Sequence, residues 1–160
     1  MGSVADSERD GAAVVIPPPL VFLAAIVVAV VMGWLWPRGV WFDAPLRYVV
    51  GGVGLLASGW LLSGAIGQFK RMDQDPKPWR PTPAITEAGP YRFTRNPMYL
   101  GFAAFTVGLG FVLGNGWFVP AALLAALAVQ RTAIVHEEAY LERKFGEAYL
   151  AYKRRVRRWL

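Results

Sequence analysis

Three stretches of this chain carry no charged residue: Ile16 to Pro37, Tyr48 to Phe69, and Met98 to Gln130. A helix that crosses the hydrocarbon core of a bilayer needs roughly 20 apolar residues. The first two runs meet that length once each. The third is long enough for two passes folded at "GNG", Gly114 to Gly116. The expected spans are therefore about 18–36, 47–68, 98–113 and 117–135, the third of them short and rich in glycine. A mean hydropathy of +0.34, with 55% hydrophobic residues, is too apolar for an ordinary soluble domain of 160 residues. The fold class expected is an all-α integral membrane protein: about four transmembrane helices plus a cytoplasmic amphipathic C-terminal helix.

The first run is longer than the apolar part of a secretory signal, and its N-terminal flank "DSERDG" is not basic. It is read as a retained helix because three further spans follow. The absence of cysteine excludes disulfides, cysteine-ligated zinc and thiol nucleophiles. The 17 Lys and Arg residues are unevenly placed. Only Arg38 and Arg47 flank the first loop. Lys70, Arg71, Lys77, Arg80, Arg92 and Arg95 lie between spans two and three, and the rest follow from Arg131 onward apart from Arg9. Cytoplasmic loops carry the excess of Lys and Arg, so the second loop and the tail are expected in the cytoplasm, with both termini on that side of a cell (inner) membrane. A basic tail beside a bilayer implies attraction to anionic lipid headgroups, and nucleic acid is not an expected partner.

Residues 1–15 read as a disordered lead, 16–135 as the four-span bundle with a catalytic loop at 70–97, and 136–160 as the amphipathic tail. Span two carries Gly54, Ser58, Gly59, Ser63 and Gly67, small residues that permit close helix packing in lipid. The second loop contains five prolines and is long for a connection between packed helices. In the tail, Leu141, Phe145, Tyr149, Tyr152, Val156 and Trp159 recur at three- and four-residue spacing, with a break at Gly146. Such a helix either lies on the membrane surface or folds back over the second loop.

Spans three and four form a hairpin, so the start of one and the end of the other are neighbours. "GPYRFTRNPMY" enters span three, and "RTAIVHEEAYLERKFG" leaves span four. Arg92, Arg95, Asn96 and Tyr99 are thereby brought toward Arg131, His136, Glu137 and Glu138, with Tyr91 adding an aromatic face. The mixture of cations, anions, amide and rings suits a zwitterionic ligand with a flat ring. Each element alone has a plainer reading. The arginines can anchor at lipid phosphates. Asn96-Pro97 is an ordinary helix start, the glutamates can form a solvated face, and the tail tyrosines can simply pack. A single histidine cannot build a metal site of the usual kind, and none is expected.

"GPYRFTRNPMYLG", an apolar hairpin and then "RTAIVHEEAYLERKFGEAYLAYKRRV" together resemble the membrane-embedded isoprenylcysteine carboxyl methyltransferases and phospholipid N-methyltransferases. The likeness covers roughly residues 85–157. Arg95, Pro97, Tyr99 and Gly101 match the family's entry motif, Glu137 and Glu138 its acidic pair, and Arg131 an arginine before that pair. Asn96 stands where the family has histidine. Asn-Pro-Met-Tyr is closer to the phospholipid branch and "FGEAYLAYKRRV" to the isoprenylcysteine branch. The tail reads Arg157-Arg158-Trp159 where prolines often follow the valine.

The resemblance implies S-adenosylmethionine as cofactor and methyl transfer to a lipophilic acceptor entering from the bilayer at the cytoplasmic face. The pocket expected for the cofactor comprises Tyr91, Arg95, Asn96, Pro97, Tyr99, Gly101, His136, Glu137 and Glu138, with Arg131 and Glu138 as candidate catalytic residues. Methyl transfer from a sulfonium is an in-line displacement that asks for positioning and exclusion of water. A carboxylate acceptor needs no base. An amine acceptor must lose a proton, to Glu137, Glu138 or His136. A small transporter is disfavoured because the spans carry no ionisable group. The alternative is a non-catalytic membrane assembly partner that retains the fold.

Overall fold

The computed structural model describes residues 14, 16–72, 82 and 84–160. The lead expected over 1–15, apart from Val14, and the centre of the 70–97 loop lie outside the described residues. Those residues hold α1 (Pro18–Leu35), α2 (Leu46–Arg71), a 3₁₀ turn (Gly89–Arg92), α3 (Pro97–Leu113), α4 (Phe118–Val129), a π-turn (Gln130–Ile134), α5 (Val135–Phe145) and α6 (Glu147–Arg155). No strand occurs among them. Three helical stretches are long and apolar enough to cross a membrane: Pro18–Leu35, Leu46–Arg71 and the continuous Phe118–Phe145. The third expected span, α3, is apolar but has 17 residues. At ~1.5 Å per residue it is about 26 Å long, short of a core of roughly 30 Å.

Proline at the first turn opens α1 and α3, where its missing N–H is not needed. Their ends differ. Gly114 closes α3 in the left-handed region, at φ 69°, a conformation that suits glycine. Asn115 then donates to the Ala29 carbonyl of α1 at 2.9 Å, and Gly116 N–H to Arg38 O at 2.8 Å. The α3–α4 turn is thus stitched to α1 and the loop after it.

Small residues set the main helix contact. A Cβ on Gly54 would lie 3.1 Å from Gly108 Cα, and one on Gly108 would lie 2.9 Å from Gly51 O. Without a hydrophobic drive between helices in lipid, such close backbone approach supplies the packing. On the other side α1 meets α4 through Phe22, Ala125 and Val129, and again through Ala29, Phe118 and Ala121. Leu20, Leu23, Val27, Val53, Leu56, Leu123 and Leu124 remain exposed, the distribution expected when the solvent is hydrocarbon.

The tail differs from a single helix over 136–160. Span four runs into α5 without interruption, and Gly146, at φ 53°, separates α5 from α6. After Arg155 the chain becomes extended, with Val156 at φ −119°, ψ 131°. The tail contacts the end of the second loop. Tyr152 hydroxyl donates to Tyr91 O at 2.8 Å, and Arg155 pairs with Glu87 at 2.7 Å.

Candidate functional site

The π-turn decides which residues of the α4–α5 helix face inward. Val135 N–H bonds to Gln130 O, five residues back. An α-helix continuing the buried positions Ala125 and Val129 would next present 132–133 and then 136. The wider turn holds one extra residue. Ala133 and Ile134 are buried instead, then Glu138, while Arg131 and His136 are exposed. The sequence reading placed His136 and Arg131 beside the acidic pair. In the structure both are exposed, outside the buried cluster.

Glu138 is the centre of the polar cluster. Its side chain is 7% exposed, and Arg95 Nη1 sits 3.1 Å from Oε1. Arg158 grips the same carboxylate, Nε to Oε1 at 3.0 Å and Nη2 to Oε2 at 2.7 Å. Lys153 Nζ stands 4.0 Å away. Burying a carboxylate costs several kcal/mol unless cations and hydrogen bonds compensate, and here three cations converge. The two-pronged Arg158 contact is the strong kind. It holds the Arg158 guanidinium above its usual range, against the opposing effect of partial burial.

Arg95 is less well satisfied. Its side chain is 8% exposed, yet Nε and Nη1 are buried without a hydrogen-bond acceptor. The Nη1–Glu138 approach is an ion pair by distance but is not aligned as a hydrogen bond. Unmet donors on a buried cation are rare in folded proteins and call for a reason. Beside this pair, Tyr99 hydroxyl donates to Glu137 Oε1.

Tyrosines close the cluster. Tyr91 is buried, and burial holds its hydroxyl far above the usual range, with Tyr152 and Glu137 adding to the effect. The Tyr149 hydroxyl is pushed up to about 12, chiefly by burial; Glu138 adds and Arg95 opposes. Burial raises Tyr152 as well. All three are neutral at physiological pH.

Pro97, Gly101 and Asn96 have mainly architectural contacts. Pro97 starts α3. A Cβ on Gly101 would meet Leu62 Cγ of α2 at 2.8 Å. Asn96 occupies the N-cap position of α3 but makes no capping hydrogen bond there. Its amide donates instead to Arg158 O at 2.9 Å. Arg92, drawn toward the same cluster in the sequence, is exposed. Arg158, Lys153 and Thr94 were missed, because nothing in their periodicity ties the chain end to the α3 entrance. Among the described residues no three His, Asp or Glu side chains gather as metal ligands.

Fold and cluster together define a class: an all-helical protein with bilayer-length apolar helices and, at one end, a buried arginine–glutamate centre walled by tyrosines. Residues 46–148 match the family model described as phospholipid methyltransferase, and the chain belongs to that family. An uncharacterized protein of Haemophilus influenzae is 38% identical over 63 residues, which are 39% of this chain and 100% of that protein. Protein-S-isoprenylcysteine O-methyltransferase of Schizosaccharomyces pombe is 38% identical over 71 residues, 42% of this chain and 29% of the yeast enzyme. No solved structure matches the chain.

Proposed function

We propose that this chain is an integral-membrane methyltransferase that uses S-adenosylmethionine to methylate a lipophilic small molecule or lipid at the cytoplasmic face. In this reading α1, α2, α3 and the α4–α5 helix all enter the bilayer. The polar cluster, the second loop and the tail face the cytoplasm, as do both termini, and anionic headgroups attract the exposed tail cations of a cell (inner) membrane protein. Family membership supports methyl transfer. The observation that carries the cofactor assignment is Arg95, a buried guanidinium with two unmet donors next to a tyrosine-oriented carboxylate.

Bound S-adenosylmethionine would supply an electrophilic methyl group. Arg95 would bind its carboxylate through charge-assisted hydrogen bonds. Glu137, fixed by Tyr99, would accept from its ammonium or ribose hydroxyls, with Tyr91 and Tyr149 as neutral walls. Glu138 is engaged by cations and holds Arg95 in place. For an amine acceptor Glu137 is the better candidate base; a carboxylate acceptor requires none. Thr82 N–H bonds to the Tyr140 hydroxyl at 3.2 Å, which draws the second loop onto α5 and helps to keep water out.

Titration of purified wild type in nanodiscs with S-adenosylhomocysteine, followed by calorimetry, tests this. Binding weakened about tenfold or more in Arg95→Ala and Glu137→Gln, about 1.4 kcal/mol, is the expected result. Well-folded wild type that binds nothing would point to a non-catalytic assembly partner instead. The methyl acceptor is then sought among lipids, prenyl thiols and acids.

A further inference from the structure

Residues 157–159 contact the α3 entrance and, farther along the chain, the π-turn and α5. Arg95 N–H donates to Arg157 O at 3.0 Å, while Thr94 hydroxyl and Asn96 amide both donate to Arg158 O, at 3.1 and 2.9 Å. The Arg158 side chain grips Glu138 of α5. One residue on, Trp159 Nε1 donates to Gln130 Oε1 at 2.7 Å, at the start of the π-turn, and its ring packs on the core around Phe22 and Val129. Entrance motif, π-turn and acidic pair are therefore held to one another by residues 157–159.

We infer that this segment is a latch and that Arg158 is a positioning residue which, by neutralising Glu138, leaves Arg95 able to bind an anion. The inference rests on the function proposed above. Both arginines face one carboxylate and share its Oε1. Two of the three close contacts to that carboxylate come from Arg158, and the misaligned one from Arg95. Without Arg158, Glu138 is a buried carboxylate short of a partner, and Arg95 is the cation nearest to hand. The guanidinium then turns fully onto Glu138, and its free donors are spent within the protein. Asn96 has a related part. At this position its amide serves the tail carbonyl, so the side chain secures the latch and does not face the ligand.

This separates two ligands that share a nucleoside. S-Adenosylhomocysteine has a carboxylate; 5′-methylthioadenosine does not. In Arg158→Ala the affinity for S-adenosylhomocysteine should fall about tenfold, while that for 5′-methylthioadenosine stays at the wild-type value. Arg158→Lys, which keeps the charge but loses the paired geometry, should recover part of the loss. Arg154→Ala, on the exposed face of α6, should change neither. Equal weakening of both ligands, or no weakening of either, would overturn the positioning role.

The latch itself is read without any ligand, from the rate at which carboxypeptidase trims the 160-residue chain. Faster trimming in Arg158→Ala and in Asn96→Ala is expected; rates equal to wild type in both would overturn the latch. Wild type that binds neither nucleoside would count against the proposed function, and the trimming rates would still decide the latch.

Discussion

Arg95 is buried at the entrance to α3, and the groups around it compensate for that burial. Glu138 supplies the countercharge, Arg158 shares that countercharge, and the tyrosines contribute neutral hydroxyls. Replacing Arg95 by lysine preserves the charge but removes the planar donor fork. Arg95→Lys should therefore bind S-adenosylhomocysteine more weakly than wild type and more tightly than Arg95→Ala, as read by calorimetry. Tyr149 offers a test that needs no ligand. Its folded-state pKa of about 12 lies above the ordinary 10.0, so the folded protein favours the neutral phenol. That contribution is fully present below pH 10 and is lost as pH rises toward 12. Alkaline titration with thermal melts should show stability falling through that window, and less steeply in Tyr149→Phe. The entrance arginine and the acidic pair were legible in the sequence, because hairpin topology alone makes them neighbours. Arg158 was not. Its place depends on hydrogen bonds to backbone carbonyls, which leave no trace in residue type or spacing.

Helix positions were readable for a simple reason: hydrocarbon tolerates few charges, so charge-free runs mark the spans to within a few residues. Arg47 is the first charged residue inside α2, and Lys70 and Arg71 lie in its last turn. The π-turn was hidden, because widening one turn changes no residue's polarity. Yet it moves the inner face on by one position, from His136 to Glu137, whose neighbour Glu138 is buried. Inserting one alanine after Ile134 should rotate the residues that follow by about 100° and turn Glu138 outward. Circular dichroism should then report nearly unchanged helix content, while S-adenosylhomocysteine binding is lost. The α2–α3 contact makes a second demand at this scale. Gly108 has backbone within 2.9–3.2 Å of any added Cβ, and rigid backbone does not yield easily. Gly108→Leu should destabilise the protein by about 1–3 kcal/mol, seen as a lower melting temperature in detergent. Gly52→Ala, with nothing within 4 Å, should be tolerated.

Across the whole molecule the two ends are built differently. One is tied by short backbone contacts between the α3–α4 turn and the segment after α1; the other collects the charged groups, the second loop and the tail. Because the chain has no cysteine, single cysteines report sidedness directly. A cysteine at Gly39 should react with an impermeant maleimide from outside intact cells, and one at Arg143 only after lysis. The reverse pattern would invert the orientation proposed here. The short α3 has a further consequence. Gly101, the fifth residue of α3, packs on Leu62, whereas α2 continues to Arg71, about 13 Å farther along its axis. That extra length of α2 is covered by the 3₁₀ turn, with Pro90 against Gly64 and Tyr91 against Phe69, so the short apolar helix is topped by a polar rim. Bilayers adjust to helices of unequal length by thinning locally, at a modest cost for each ångström of mismatch. Under the function proposed above, membrane thickness then becomes a variable of the reaction: methyl transfer assayed in short-chain lipids should be faster than in long-chain lipids, because thinning brings headgroups toward the rim that carries Arg95.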